Sequence, residues 1–289
     1  MLIASWNINS IRVRLPQVIQ WMESAHPDVL ALQETKTTDD VFPSQALQDA
    51  GYHVIYSGQK TYNGVALLSR DPPSQVVTDL SSLDDPQRRI IAATVGDLRI
   101  YNVYVPNGQA VGTDKFEYKL RWLAALRDQL TRELEDHSRV LVVGDFNVAP
   151  DDRDVHDPAA WAGQVLVSEP EREALGDLLA LGFRDTFRLF EQPEGSFSWW
   201  DYRAAAFRRN RGLRIDLLLA SRTLAECCTT SSVDVEPRKW EKPSDHAPVF
   251  EVRLKINGHP AIIAKGRSRA DAEKKAAAQF IAGITENEL

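Results

Sequence analysis

The sequence predicts an α/β fold, built either around a mixed sheet or around two packed sheets with helices outside. Three observations support this fold class: short apolar runs alternate with helical patterns, hairpins occur among strand–helix units, and no linker divides residues 1–250. The chain has 289 residues, of which 43% are hydrophobic, and this is ample for a large buried core. Length alone allows one large domain or two smaller ones.

Runs rich in Val, Ile, Leu and Tyr predict the strands. The first four are residues 2–8, 28–34, 52–58 and 64–70. Residues 88–106 predict a hairpin that turns near Gly96 and Asp97. Residues 139–146 form a continuous apolar run, which is typical of a strand buried on both faces. The later strand-like segments are residues 196–200, 213–221 and 246–256.

Two segments predict helices. Residues 114–136 form a long amphipathic pattern in which apolar side chains fall roughly on one side. These side chains are Phe116, Leu120, Leu126 and Leu130. Residues 170–182 predict a second helix that ends at Gly182, because glycine is favoured just past a helix terminus.

Composition argues against several classes of protein. No window approaches the ~18 consecutive apolar residues of a membrane span, and the start of the chain has no signal-peptide pattern. The two cysteines, Cys227 and Cys228, are adjacent and cannot form a disulfide framework, which favours the reducing cytoplasm. The net charge of −7 argues mildly against non-specific nucleic-acid binding but allows a local basic groove.

Polar residues recur where the predicted strands begin or end. They are Asn7, Glu34, Asp145 with Asn147, and Asp245 with His246, and a further carboxylate, Asp216, lies inside the predicted strand over residues 213–221. A single Asp or Asn in such a place is usually a strand-end cap or a turn former. Six such positions in one chain are poorly explained by capping. Ligands of open α/β sheets bind beyond strand ends, so these residues are candidates for an active site.

The residue types indicate metal-assisted phosphoryl chemistry. Glu34, Asp245 and the amide of Asn7 are hard oxygen donors, which suit Mg²⁺, with Mn²⁺ as the alternative, rather than zinc. Carboxylates, one histidine and a hard cation together favour attack of water on a phosphoryl group. A carboxylate such as Asp216 would orient His246 and keep it protonated.

Seven motifs stand in the order of a known family. They are SWNINSIR, ALQETK, YNGVALLSR, YVPNG, GDFNVAP, NRGLRIDLLLAS and KPSDHAPV. Over roughly residues 1–254 the chain resembles the exonuclease III family of abasic-site endonucleases, in the endonuclease/exonuclease/phosphatase superfamily. The resemblance implies a four-layered α/β sandwich, in which two packed mixed sheets are flanked by helices and the active site lies at one edge.

The resemblance also implies roles for single residues. Glu34 resembles the principal metal ligand, and Asn7 and Asp245 would complete or support the metal shell. Because Mg²⁺ is the ion expected in this family, we expect a Mg²⁺-dependent enzyme.

Five residues match the groups that act on the phosphate. His246 resembles the histidine that contacts the scissile phosphate, with Asp216 as its partner. Asp145 resembles the carboxylate that activates the attacking water, and Asn147 would orient it. Tyr104 matches a tyrosine that hydrogen-bonds the phosphate. Which of His246 and Asp145 is the general base stays open at this point, because neighbouring titrations couple.

Residues 196–216 mix aromatic and cationic side chains, which suits a phosphate backbone and an unstacked nucleotide. The candidates for substrate binding here are Trp199, Trp200, Tyr202 and Arg211, and Arg88 lies earlier in the chain. The resemblance implies that Trp199, Leu213 and Ile215 line a pocket for a flipped abasic sugar. Some relatives have tryptophan in place of Leu213, and a roomier pocket would favour exonuclease action.

The expected function is a Mg²⁺-dependent DNA repair nuclease that acts on duplex DNA as a monomer. It would cut 5′ to abasic sites, trim 3′ ends and remove 3′ blocking groups. Two alternatives remain open: a nucleic-acid-binding protein with weak catalysis, and a phosphodiesterase or phosphatase that acts on inositol phosphates or lipids.

The last residues carry a different pattern. Asn257 and Gly258 predict a hairpin turn, and Ser268 with Asp271 has the spacing of a capping box. The hairpin and the following helix resemble the second half of a double-stranded-RNA-binding domain. We therefore expect a catalytic domain over residues 1–254 and an extension over residues 255–289 that adds duplex affinity, with duplex RNA as an alternative ligand.

Overall fold

The computed structural model describes residues 1–252, and its centre is a pair of six-stranded mixed sheets. The strands are β1 Leu2–Asn7, β2 Val29–Gln33, β3 His53–Ser57, β4 Val65–Ser69, β5 Ser74–Val77, β6 Ile90–Val95, β7 Leu98–Tyr104, β8 Val140–Asp145, β9 Arg184–Asp185, β10 Asp216–Ala220, β11 Thr230–Val233 and β12 Val249–Val252. Sheet A has the order β11-β12-β1-β2-β4-β3, and sheet B has the order β5-β6-β7-β8-β10-β9. The chain thus forms two sheets rather than one.

The helices lie on the outer faces of the sheets or in the connections. They are α1 Ile11–Ala25, α2 Ser44–Asp49, α3 Asp114–Asp136, α4 Pro158–Trp161, α5 Glu169–Ala180 and α6 Arg222–Ala225. Local signals explain where the longer ones begin. The side chain of Thr113 accepts the Phe116 N–H at the start of α3, and Ser168 forms a capping box with Glu171 at the start of α5.

Alternation along the strands divides the core into three apolar layers. In β1, Ile3 packs between the two sheets, whereas Ala4 packs on the outer face of sheet A with Trp21 of α1. On the outer face of sheet B, Val142 packs against Trp122 of α3. Helices, sheet A, sheet B and helices therefore form four layers, which confirms the predicted sandwich.

Strand directions bring the polar strand ends to one edge of the sandwich. Strand β1 is parallel to β2 in sheet A, and β7 is parallel to β8 in sheet B. The side chain of Asn7, at the end of β1, donates to Asp145, at the end of β8, so these four strands end at the same edge. Strand β10 runs antiparallel to β8, with Asp216 opposite Asp145. Strand β12 runs antiparallel to β1 and therefore begins at the edge where β1 ends.

Most of the predicted elements are present. The hairpin β6–β7 turns at Gly96 and Asp97, and the predicted bounds of the helix over residues 114–136 are confirmed. Residues 196–200 do not form a strand, because only Trp199 pairs there, in isolated bridges to Leu213 and His246. Helix α1 was not predicted, and it contains Pro16, a residue that usually signals a break in a helix.

No helix within residues 1–252 combines the length and the apolar character that crossing a membrane requires. The predicted extension over residues 255–289, with its hairpin turn and capping box, lies outside the described residues.

Candidate active site

A cluster of two carboxylates and one imidazole lies at the edge where β1, β2, β7 and β8 end. Glu34, Asp145 and His246 each offer a potential metal-ligand atom, and these atoms all lie within 4.8 Å of one another. Asp145 and His246 are buried, and Glu34 is half-buried. Glu34 follows β2 with a left-handed φ of 53°, a conformation that a non-glycine residue adopts at a cost.

Asn7 connects the carboxylates from two sheets. Its Nδ2 donates to Glu34 Oε1 at 2.8 Å and to Asp145 Oδ2 at 2.9 Å. Its Oδ1 accepts the backbone N–H of Asn9 at 3.0 Å. The amide oxygen that we expected to face a metal ion therefore faces the backbone, and Asn7 holds the carboxylates of Glu34 and Asp145 in place through its nitrogen.

His246 lies between two carboxylates. Its Nδ1 is 2.9 Å from Asp216 Oδ2, and its Nε2 is 3.7 Å from Asp145 Oδ2. Ser198 donates a hydrogen bond to Asp216 and so holds this carboxylate in position. Burial lowers the pKa of His246, but the charges of Asp216 and Asp145 outweigh burial and raise the pKa to about 10. His246 therefore carries a proton at neutral pH.

The other titratable groups of the site have shifted pKa values as well. Burial raises the pKa of Asp145 to about 7, although the charge of His246 opposes this effect. Burial and the charges of Glu34 and Asp145 raise the pKa of Tyr104 well above its usual value. At neutral pH, Tyr104 therefore keeps its proton and can donate a hydrogen bond.

Asn147 lies beside Asp145, as the sequence motif implies. Its backbone N–H donates to Asp145 Oδ1 at 2.9 Å. Its side chain is occupied elsewhere, because Nδ2 donates to the carbonyl oxygen of Val105 at 3.0 Å and Oδ1 accepts from Asn107 at 3.1 Å. Asn147 therefore orients Asp145 through its main chain.

Asp245 lies outside the three-residue cluster. Its Oδ1 accepts from Asn9 Nδ2 at 2.9 Å, and its Oδ2 accepts from Trp199 Nε1 at 3.1 Å. Burial opposes ionisation of Asp245, but the charge of His246 and these hydrogen bonds lower its pKa below the usual value. The Asp245 carboxylate therefore accepts hydrogen bonds from neighbouring side chains and does not contribute to the cluster of Glu34, Asp145 and His246.

Sequence reasoning missed two residues that contact these carboxylates. Lys36 Nζ lies 2.7 Å from Glu34 Oε2 and 2.6 Å from Asn9 Oδ1. Asn9 therefore connects the Lys36–Glu34 pair to Asp245. Asn9 lies two residues after Asn7 in the SWNINSIR motif, and Lys36 lies two residues after Glu34 in the ALQETK motif. Their positions in these motifs were the signal that could have identified them.

The predicted pocket residues form one apolar cluster. Trp199, Leu213 and Ile215 pack together, but Leu213 and Ile215 are only 0% and 1% exposed. Trp199 is half-buried and is the member of the three that can face a substrate. The expected roomy pocket at Leu213 is not open in this structure.

The other predicted substrate residues divide into buried and exposed ones. Trp200 is 1% exposed and packs edge-on against Phe207, so it cannot stack on a nucleotide here and stabilises the segment instead. Tyr202 and Arg211 are exposed. Arg88 has a side chain that is 41% exposed and pairs with Asp79 at 3.2 Å.

The donor chemistry fits a hard divalent cation. Glu34 and Asp145 offer carboxylate oxygens, which Mg²⁺ and Mn²⁺ prefer, and neither cysteine lies in the cluster. His246 is held through Nδ1 by Asp216, and its Nε2 lies 3.7 Å from Asp145 Oδ2. Two carboxylates leave room for coordinated waters and substrate oxygens, as is usual for Mg²⁺.

Comparisons with known proteins agree with this geometry. The model of the Endonuclease/Exonuclease/phosphatase family matches residues 4–246, and a model of the double-stranded RNA binding motif matches residues 221–284. Exodeoxyribonuclease III from Haemophilus influenzae is 37% identical over 259 residues, which cover 85% of this chain and 97% of the relative. An exodeoxyribonuclease from Bacillus subtilis is 34% identical and covers 86% of this chain and 98% of its own length.

Solved structures are similar as well. A variant of the 3′ phosphatase NExo from Neisseria, bound to a product DNA hairpin, has a TM-score of 0.87 and 46% identity, covering 88% of this chain and 100% of its own. An AP endonuclease from Archaeoglobus fulgidus has a TM-score of 0.84 and 39% identity, covering 88% and 99%. The chain therefore belongs to the Endonuclease/Exonuclease/phosphatase family, within which it is a DNA repair nuclease of the exodeoxyribonuclease III type.

Proposed function

We propose that this nuclease hydrolyses phosphodiester bonds of duplex DNA 5′ to abasic sites and also trims and cleans 3′ ends, with Mg²⁺ as its cofactor. The observation that carries this proposal is the cluster of Glu34, Asp145 and His246 within 4.8 Å, at the same sheet edge as Trp199. A 3′ phosphatase and an AP endonuclease are both similar in structure, which supports both activities.

Glu34 would be the principal ligand of the cation, with Asp145 beside it, and the cation would supply Lewis-acid stabilisation of charge on the phosphoryl oxygens. Protonated His246 donates a hydrogen bond from Nε2 to an oxygen of the scissile phosphate, and Tyr104 donates a second one. Asp216 keeps His246 charged through Nδ1, at 2.9 Å. These donors favour the negative charge that builds up as the phosphate is attacked.

Asp145 is the general base in this mechanism. A group that accepts a proton from water must be unprotonated, and His246 already holds its proton at neutral pH. The pKa of Asp145, about 7, leaves a substantial fraction ionised, and a neighbouring cation favours the ionised form further. The amide of Asn7 and the main chain of Asn147 orient this carboxylate.

Asp245 supports the metal site indirectly. It holds Asn9, whose Oδ1 accepts from Lys36, and Lys36 pairs with Glu34.

On the substrate side, Trp199 would contact the nucleotide. The exposed side chains of Tyr202, Arg211 and Arg88 would contact the DNA backbone, with one protein molecule on each duplex.

The adjacent thiols of Cys227 and Cys228 suit a reducing compartment, and we place the protein in the cytoplasm.

One assay tests the proposed function. A duplex with a single tetrahydrofuran abasic analogue, and a second duplex with a 3′ phosphate, are incubated with the protein in Mg²⁺ or in EDTA. We expect cleavage 5′ to the analogue and release of the 3′ phosphate in Mg²⁺ alone. Binding without cleavage would instead favour a nucleic-acid-binding protein. Phosphate release from a soluble inositol polyphosphate, with neither DNA product, would favour the other phosphatase class.

The C-terminal extension is proposed to add affinity for duplexes. The match to the RNA-binding motif begins at residue 221, but β11 and β12 pair within sheet A, so the matched residues up to 252 belong to the nuclease fold. We therefore keep a catalytic domain at residues 1–254 and an extension at 255–289, in which Arg269 and Lys274 match two of the basic residues of the motif and Ala270 replaces another.

Deletion of residues 256–289 is expected to leave abasic-site cleavage intact and to weaken duplex binding. Loss of phosphate contacts should also reduce the slope of the logarithm of affinity against the logarithm of salt concentration. Titrations of duplex DNA and duplex RNA at several salt concentrations measure both effects. Identical binding by the full and shortened chains would rule out a nucleic-acid role, and an insoluble or inactive product would place the extension in the catalytic core.

A further inference from the structure

The turn before the catalytic histidine, residues 241–244, is held by side chains from other segments. Arg14 of α1 donates from Nε to the carbonyl oxygen of Lys242 at 3.3 Å and from its NH2 group to that of Pro243 at 3.2 Å. Gln17, on the same helix, donates to the first carbonyl of the turn. A guanidinium that bonds two successive carbonyls fixes both their spacing and their direction.

A second guanidinium contacts the end of this turn. Arg238 donates to the carbonyl oxygen of Ser244 and is only 6% exposed. Three aromatic rings surround its guanidinium, at 5.0 Å for Phe207 and at 5.8 Å for both Trp200 and Tyr202. A buried cation among aromatic faces is held more tightly than an exposed one. Arg238 therefore connects the substrate segment to the turn.

The backbone of the turn needs such support. Lys242 has a φ of 49°, in the left-handed region, where a side chain with a β-carbon is strained. Strain of this kind persists where the surrounding contacts determine the conformation. Arg14 supplies such contacts at Lys242 and Pro243, and Arg238 supplies one at Ser244.

The held turn leads directly to His246. Ser244 Oγ donates to the carbonyl oxygen of Asn7 at 2.7 Å and accepts the backbone N–H of His246 at 3.2 Å. A shift of the turn would therefore move His246 relative to Asp145 and Asp216. Tyr202 joins the same arrangement, because its hydroxyl donates to the Pro243 carbonyl at 3.0 Å.

We propose that Arg14 and Arg238 are positioning residues, which clamp residues 241–244 and thereby place the ring of His246 for phosphate attack. The proposal rests on the nuclease activity proposed above. Neither guanidinium needs to contact DNA for this role, and their effect is expected in the rate of the chemical step rather than in duplex affinity.

The test compares Arg14→Met and Arg238→Met with two controls that remove a guanidinium far from the turn. Arg127→Met removes an arginine of α3 whose side chain is 40% exposed, and Arg99→Met removes a buried one, 3% exposed, that pairs with Glu133. Single-turnover cleavage at saturating enzyme gives the rate of chemistry, and duplex binding in EDTA gives the Kd. We expect the turn variants to slow chemistry about 10- to 100-fold, the usual cost of small misplacements, with Kd nearly unchanged.

Arg14→Lys and Arg238→Lys, which keep one donor, should recover part of the rate. When Arg238→Met is combined with His246→Asn, the rate of chemistry should fall little below that of His246→Asn alone, because both changes act through the same imidazole. Equal losses in the control variants, or a raised Kd with a normal rate, would overturn the proposal.

A readout without activity separates this proposal from the proposed function. The ¹⁵N resonance of the His246 ring reports its hydrogen bond to Asp216 in the absence of DNA. It should shift in Arg238→Met and Arg14→Met and stay constant in Arg127→Met. If the turn variants are folded and their His246 resonance is unchanged, the positioning role of Arg14 and Arg238 is wrong, even when the parent protein cleaves DNA. If the resonance shifts but the parent protein cleaves neither DNA substrate, the proposed function is wrong and the positioning role is retained.

Discussion

Glu34→Ala is expected to remove most of the nuclease activity while the protein stays folded. Glu34 is half-buried at a strand end, and its partners Lys36 and Asn7 keep other contacts with Asn9. Loss of its carboxylate would weaken the proposed site for the divalent cation. We expect the rate at low Mg²⁺ to fall by about 10²- to 10³-fold, as when other electrostatic stabilisers of a transition state are removed.

Raising the Mg²⁺ concentration should restore part of this activity, because mass action compensates for a weaker site. A Mg²⁺ titration of the cleavage rate, with thermal unfolding to verify the fold, measures both effects. Glu34→Gln is the matched variant, since it keeps the size of the side chain and removes its charge. Near-normal turnover of Glu34→Ala at low Mg²⁺ would refute the metal assignment.

Asp145→Asn and His246→Asn should each slow the chemical step by about 10³-fold or more, while duplex binding is largely kept. In the proposed mechanism, Asp145 accepts the proton of the attacking water, and His246 contacts the phosphate that this water attacks. The two side chains lie 3.7 Å apart and would act on the same phosphate, so each would need the other.

The double variant should therefore be little slower than the poorer single variant, because residues that act as a unit are non-additive. Single-turnover rates of the parent and the three variants complete this cycle, with Kd values in EDTA as the control for binding. If the two rate losses multiplied, a shared role for Asp145 and His246 would have to be abandoned.

The elements with strong local signals were predictable from the amino-acid order. Helix α3 has a helical apolar period and a capping threonine, and its bounds, Asp114–Asp136, agree with the prediction. The β6–β7 hairpin has a glycine at its turn. Helix α1 was not predicted because Pro16 is a residue that usually ends a helix. The packing of Trp21 and neighbouring residues on sheet A outweighs this helix-breaking tendency.

The active site was predictable as a set of residue types and only partly as a geometry. Motifs identified the carboxylates and His246, because phosphoryl chemistry needs those groups. The orientation of Asn7 depends on Asp145, which is 138 residues away, so nothing near Asn7 in the chain indicates that its amide nitrogen faces the site. Trp200 resembled an exposed stacking residue, but its burial depends on Phe207 and Arg238.

The amino-acid order alone therefore determined the α/β class, the long helix, the hairpin and the chemical types at the strand ends, because these depend on neighbours within a few positions. The family resemblance of the motifs also predicted the two packed sheets, which the structure confirms. Only the tertiary structure decided that the polar atoms of Glu34, Asp145 and His246 lie within 4.8 Å of one another, and that two arginines hold the turn before His246. The physical reason is that a contact between side chains distant in sequence depends on how strands pair and sheets face one another. No local pattern of residues encodes that pairing.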